Sequence, residues 1–245
     1  MKASQRYVEE IYKVLHQVVD TQSDAIDKAA ALLADVVAGD GIIFTFGTGH
    51  SHIIAEDVTY RAGGIVPIDA ILEPSLTGHQ HVHESETMER VEGMAEVILQ
   101  YYGISDKDVL IIISNSGRNA APIEMASGAK QRGCPVIAVT SLSHSKGTAS
   151  RHSSGKKLYD YADVVIDNQC PKGDALLHLD GAPQPTGAGS GVAGLFIMQM
   201  MMVQAVEDML QRGIEPPLFR SGNLDGSDEY NRALMKKYHG RIKIW

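Results

Sequence analysis

Three short stretches of this 245-residue chain carry side chains suited to holding an anion: Gly47-Thr48-Gly49-His50-Ser51, Ser114-Asn115-Ser116-Gly117-Arg118-Asn119 and Thr140-Ser141-Leu142-Ser143-His144-Ser145. Hydroxyls donate hydrogen bonds, glycine lets backbone N–H groups approach a ligand, and a helix N-terminus adds partial positive charge. The second stretch is the sharpest. Val109–Ile113 is an unbroken apolar run, a strand buried on both faces, and it stops abruptly at Ser114–Gly117 before a helical pattern with Pro122 in its first turn. One such loop is no more than a helix cap. Three of them, each following an apolar strand, converge on the rim where open parallel sheets bind their ligands.

The elements that must position these loops follow from periodicity. Val8 to Val37 has helical spacing, interrupted around Asp20–Asp24, where Thr21 or Ser23 would cap a second helix or one long helix would run through. Strands are expected at Gly41–Phe46, Ile65–Ile68, Val109–Ile113, Cys134–Thr140 and Tyr161–Asp167. Helices are expected at His50–Ala62, Ser85–Tyr102, Ala120–Gln131 and Gly191–Arg212, with a short one within Asn223–Lys237. Gly133 suits a left-handed helix cap. Alternating strands and helices predict an α/β fold, a doubly wound parallel sheet of about five strands with flavodoxin-like layering. No linker divides the chain, so residues 1–245 form one domain: helices over 1–38, a sheet core over 39–167, and a helix and tail over 168–245.

Composition excludes several functions. A net charge of −8 and a pI near 5.6 argue against a nucleic-acid backbone as partner. The N-terminal residues lack a signal-peptide core, and Leu195–Val203 falls short of the ~20 residues that span a bilayer. A soluble cytoplasmic protein without a membrane or nucleic-acid partner is expected. Cys134 and Cys170 have no metal-knuckle spacing, and Cys134 at a strand start suits a buried, inert thiol. The ATP-type Gly-x-x-x-x-Gly-Lys-Ser/Thr loop is absent. Gly47-Thr48-Gly49 begins a dinucleotide fingerprint whose third glycine is replaced by His52, although Asp69 stands where an acidic residue would follow.

The pairing of Gly47–Ser51 with Ser114–Asn119, followed by Thr140–Ser145, resembles the SIS (sugar isomerase) domain, a phosphosugar-binding family. The resemblance covers roughly Gly39 to Asp167 and is close to a bacterial family of uncharacterised SIS proteins. It implies that Gly49, His50 and Ser51 face sugar and phosphate. It also implies that Ser114, Asn115, Ser116, Gly117 and Asn119 hold the phosphate, with Thr140 and Ser145 in the third loop. His50 and Asn119 depart from the small hydroxyl and the threonine common at those places, while keeping a hydrogen-bonding group.

The resemblance further implies an aldose–ketose isomerase or a lyase that removes a proton beside a sugar carbonyl with a glutamate, without a cofactor; a non-catalytic phosphosugar sensor or adaptor is the alternative. Glu84 and Glu56 rank first as bases, Glu56 one turn past Ser51 and Glu84, with Glu86, just after the loop Thr77–His83. Alternating His79, His81 and His83 share a side only if that loop is extended. It then offers a metal site with Glu84, or an acid such as His83 to open the sugar ring, and is otherwise polar filler. His50 and His52 are two apart on a helix and cannot face one ligand, and His50 is nearer the loop. Pro185–Ser190 offers either a further oxygen-binding edge or a capped turn, and Arg220 and Asn223 are speculative contacts. The methionine-rich helix after Ser190 is apolar nearly all round and needs covering on more than one side, as in a homodimer or homotetramer.

Overall fold

The computed structural model describes residues 1–245. The chain begins with one unbroken helix, α1 (Ala3–Ala38). The Thr21 and Ser23 hydroxyls bond the carbonyls of Gln17 and Val19, each at 2.6 Å, and so fold back on α1 rather than capping a new helix. Next come β1 (Ile43–Gly47), α2 (Ser51–Asp57), β2 (Ile68–Ile71), α3 (Pro74–Thr77), α4 (Val82–Met88) and α5 (Met94–Tyr102). After these follow β3 (Val109–Ile113), α6 (Ala120–Gln131), β4 (Val136–Thr140), α7 (Leu142–Lys146) and β5 (Val164–Asp167). A short antiparallel hairpin, β6 (Ala175–Leu177) and β7 (Thr186–Ala188), precedes α8 (Ser190–Gln211) and α9 (Ser227–Tyr238).

Strands β2-β1-β3-β4-β5 form one fully parallel sheet. The continuous apolar run of β3 is explained by period-2 alternation with both faces covered. Val109, Ile111 and Ile113 join the core under α1, α2 and α8, while Leu110 and Ile112 join the core under α5 and α6. Although α8 is long and apolar enough to cross a membrane, it is a partly buried core helix, with Ile197, Met198, Met201 and Met209 enclosed.

Several boundaries differ from those expected, each for a local reason. The second strand starts at Ile68, because Pro67 has no N–H for the ladder; Ile65 instead makes an antiparallel bridge with Leu218. The helix expected over Ser85–Tyr102 is two helices, broken by Gly93 at φ +92°. The first post-loop helix ends at Asp57, with Tyr60 at φ +45° beyond it. The C-terminal tail packs over one face of the sheet, where Tyr238 and Ile242 join the core of Leu110 and Ile112. The fully buried Asp69 on β2 accepts hydrogen bonds from the N–H groups of Lys243 (2.7 Å) and Ile244 (3.2 Å).

Candidate functional site

The first loop turns tightly off β1. A Cβ on Gly47 would stand 2.5 Å from the Ser51 carbonyl oxygen, and Gly49 lies at φ +51°. This folding brings Ser51 to the start of α2 with its hydroxyl uncommitted, while His50 is exposed. In the second loop Gly117 lies at φ +55° and its N–H donates to Ser114 Oγ at 3.2 Å. The Ser114 proton and the half-buried Ser116 hydroxyl are thereby left for a ligand at the start of α6.

Other residues expected at the phosphate instead brace its loop. Thr140 Oγ1 donates to the Asn115 carbonyl at 3.2 Å, and Asn115 Oδ1 accepts from Asn168 Nδ2 at 2.9 Å. Ser145 is fully buried, with its unpartnered Oγ 3.2 Å from where a Gly117 Cβ would stand. The nearly buried Lys157 ammonium donates to the carbonyls of Ser145 and Thr148. Asn119 spends its side chain on Glu89 and Arg151.

Charge around the second loop is positive although the chain is acidic. Burial, then the charges of Lys172 and Arg118, lower the pKa of His144. Burial, then Arg118, does the same to Lys157. Arg118 Nε is buried without a partner.

A cavity of about 310 Å³ adjoins the first loop, lined by Gly49, His52, Thr77, His79, Glu86 and Glu89 among others. His52 Nδ1 donates to the Gly49 carbonyl at 2.6 Å, which leaves Nε2 free to accept a proton. His79 Nδ1 is hydrogen-bonded to Thr77 Oγ1 at 2.6 Å, and the two imidazoles lie 5.8 Å apart. Glu89 holds the loops together: its Oε2 accepts from Thr48 Oγ1 and its Oε1 from Asn119 Nδ2, both at 2.7 Å. A sugar bound here would meet two imidazoles and a carboxylate, a set able to abstract and return protons.

This set differs from the one expected. Glu84 and His83 are exposed on α4 and do not line the cavity; Glu56 is exposed on α2 and is also absent from it. His79, His81 and His83 share no side, because α4 begins at Val82 and the segment is not extended. Contrary to expectation, His50 and His52 both line the cavity, because they straddle the first turn of α2 rather than lying within a regular helix; His52 is the one that pairs with His79. Glu89 was missed because no spacing rule marks a lone glutamate just past a short helix. Glu73, two residues past the end of β2, is half-buried and burial raises its pKa, but it does not line the cavity.

The loop after α7 is strapped to the α4–α5 corner. Glu92 accepts from Ser153 N (2.6 Å) and Oγ (2.7 Å), and His152 Nε2 lies 3.3 Å from Glu124 Oε1. Glu124 in turn accepts from Gly93 N. The strap places Arg151 against Asn119.

Residues 6–141 match the SIS domain family model. A UPF0309 protein of Halalkalibacterium halodurans is 44% identical over 226 residues, 92% of this chain and 93% of that protein. A UPF0309 protein of Streptomyces griseus is 42% identical over 94% of this chain and 92% of its own length. Among solved structures, the phosphoheptose isomerase of Neisseria gonorrhoeae superposes with a TM-score of 0.59 at 18% identity, over 83% of this chain and 97% of that one. The Vibrio vulnificus NanR protein, complexed with ManNAc-6P, gives 0.55 at 15% identity, over 96% and 69%. At those identities the likeness is one of fold.

Proposed function

The chain belongs to the SIS domain family, and from that premise we propose that it binds a sugar phosphate at the sheet rim and catalyses proton transfer beside the sugar carbonyl, as an aldose–ketose isomerase or a lyase. The phosphate is held by the hydroxyls of Ser51, Ser114 and Ser116 and by N–H groups at the start of α6. The reacting carbons lie in the cavity of His52, His79 and Glu89. The observation that carries this reading is Glu89, one carboxylate that touches both phosphate-loop elements and lines the adjoining cavity. Binding energy from the remote phosphate then positions the reacting carbons against it. Glu89 is the base in this reading: it takes the proton from the carbon beside the carbonyl while His52 or His79, in its protonated form, gives its own proton to the carbonyl oxygen. In an isomerase Glu89 then delivers its proton to the neighbouring carbon and the imidazole regains one from the neighbouring hydroxyl. Glu84 and Glu56 stand outside the cavity.

A second reading is a phosphosugar sensor, favoured by the fold shared with the Vibrio vulnificus NanR protein complexed with ManNAc-6P. Assembly as a homodimer or homotetramer, in the cytoplasm, accompanies either reading. Val8, Tyr12 and Val19 on α1, with Val192, Val203 and Leu210 on α8, are exposed apolar side chains available to a second copy.

The test is a thermal-shift screen of phosphorylated aldoses, ketoses and amino sugars, followed by solvent-deuterium exchange into each hit. A ligand at about 100 times its Kd adds about 2.7 kcal/mol, which raises the Tm of a chain this size by about 5 °C or more. Ser114→Ala with Ser116→Ala abolishes the shift. Binding with exchange identifies a catalyst, and binding without exchange a sensor; a chain stabilised by NAD or ATP but by no sugar phosphate overturns both.

A further inference from the structure

Three arginines gather at one edge of the second loop without an acidic partner. Arg118 precedes Asn119 in the loop, and Arg90 follows Glu89, whose carboxylate holds Asn119. Arg151 is tied to the same place twice: its guanidinium donates to Asn119 Oδ1 at 3.1 Å, and its N–H donates to the Arg118 carbonyl at 2.8 Å. Asn119, nearly buried, is thus bonded to both Glu89 and Arg151, with Arg90 and Arg118 next to Glu89 and Asn119 in the chain.

None of the three guanidiniums lies within 4 Å of a carboxylate; Arg61, Arg132, Arg212 and Arg241 are paired with Asp57, Glu96, Asp35 and Asp40, while Arg6, Arg220 and Arg232 are unpaired but stand elsewhere in the chain. The acidic groups that act on Arg151 are Glu89 and Glu86. Glu89 is hydrogen-bonded to the neutral Thr48 and Asn119 and makes no ion pair with Arg151, and Glu86 forms no ion pair either. Arg118 Nε is enclosed with no acceptor at all. Burial first, then the charges of Arg118 and Arg90, push the Arg151 pKa down, while Glu89 and Glu86 oppose this. The strap from Glu92 and Glu124 to Ser153 and His152 fixes the Arg151 loop in that position. An acidic protein that keeps three unpaired guanidiniums together bears an electrostatic cost unless an anion arrives.

We propose that Arg90, Arg118 and Arg151 form a second anion subsite beside the phosphate loop, so that the substrate is a sugar phosphate carrying a second anionic group, a carboxylate or a second phosphate. The inference rests on the sugar-phosphate reading, since the first phosphate is what the serine loop takes. That loop has enough hydroxyl and N–H donors for one phosphate without a guanidinium. The arginines lie on its Asn119 side, towards the cavity lined by Glu89, where the far substituents of the same sugar would reach. Guanidinium forks suit both carboxylate and phosphate oxygens, and charge-assisted hydrogen bonds are the strong ones.

The test compares ligands differing by one anionic group: glucose 6-phosphate with 6-phosphogluconate, fructose 6-phosphate with fructose 1,6-bisphosphate, and glucosamine 6-phosphate with muramic acid 6-phosphate. Dissociation constants are measured by calorimetry on the full chain and on an Arg90→Gln/Arg151→Gln variant. Both substituted residues are exposed, and circular dichroism checks that the variant is folded. At least one doubly anionic ligand is expected to bind wild type about tenfold or more tighter than its partner, and the ratio is expected to fall to about twofold or less in the variant. The pair that shows the preference distinguishes a carboxylate from a second phosphate. If single phosphates bind and no second anion improves any pair, or if the preference survives in the variant, the subsite is refuted and the sugar-phosphate reading stands. If no phosphorylated ligand binds at all, both fall.

Discussion

The carboxylate of Glu89 and the side-chain amide of Asn119 lie 2.7 Å apart, joined across 30 residues of sequence. Since the same carboxylate accepts from Thr48, one side chain fixes the spacing between the β1 and β3 loops. Replacing Glu89 with Ala leaves Thr48 and Asn119, both nearly buried, short of an acceptor. That costs about 1–3 kcal/mol, measurable by urea denaturation. Glu89→Gln keeps one acceptor and the shape, so the fold and phosphosugar binding persist while deuterium exchange into the sugar falls by about 10²-fold or more. Exchange at the wild-type rate in Glu89→Gln would remove Glu89 from the chemistry and direct attention to Glu73.

Gly47→Ala tests the first loop. Its added Cβ would sit 2.5 Å from the Ser51 backbone oxygen, a group that cannot rotate away. The loop must open, which moves Ser51. The expected result is a loss of about 1–3 kcal/mol in stability, together with loss of the phosphosugar thermal shift. Gly63→Ala, at φ +76° with nothing within 4 Å of its Cβ, is the control for general glycine strain. It lowers Tm and keeps the shift.

The sheet was legible because its strands are apolar on both faces, and the candidate anion loops because hydroxyls and glycines end those strands. Val109–Ile113 and Ala120–Gln131 were found at their true bounds for this reason. The reacting side of the site was not legible, since Glu89, His52 and His79 converge through α3 and α4, short helices with no periodicity of their own. Arg151 was hidden for a related reason. Only the strap of Glu92, Glu124, His152 and Ser153 places it against Asn119, and such contacts leave no mark in local spacing. The contact of Asp69 with the C-terminal tail likewise spans more than 170 residues of sequence, as its hydrogen bonds record.

Both thiols are predicted to be silent in the native protein. Burial, then nearby carboxylates, push the pKa of Cys134 and of Cys170 up to about 12. The reactive thiolate is therefore absent at pH 7–8. A disulfide reagent such as DTNB should label neither residue until denaturant unfolds the chain, and labelling should then track the unfolding transition. Fast labelling of either cysteine before that transition would contradict its burial.

His144 gives the site a pH dependence whose sign is fixed by its surroundings. Burial, then Lys172 and Arg118, hold its folded pKa below the ordinary value of about 6.5, Lys157 adding to and Asp174 opposing this. A depressed histidine binds protons better when unfolded, so its contribution to stability is intact above about pH 6.5 and is lost as pH falls through the folded value. Comparing the Tm of wild type with that of His144→Gln from pH 8 to pH 5 isolates this contribution: wild type loses stability relative to the variant only on the acid side. A phosphate bound at Ser114 and Ser116 brings negative charge towards the same cations and opposes the depression. The NMR titration midpoint of His144 should therefore rise when a sugar phosphate saturates the protein, so that His144 takes up protons on binding on the acid side of its ordinary value of about 6.5. A midpoint unchanged at saturation would mean that the phosphate is held away from the second loop.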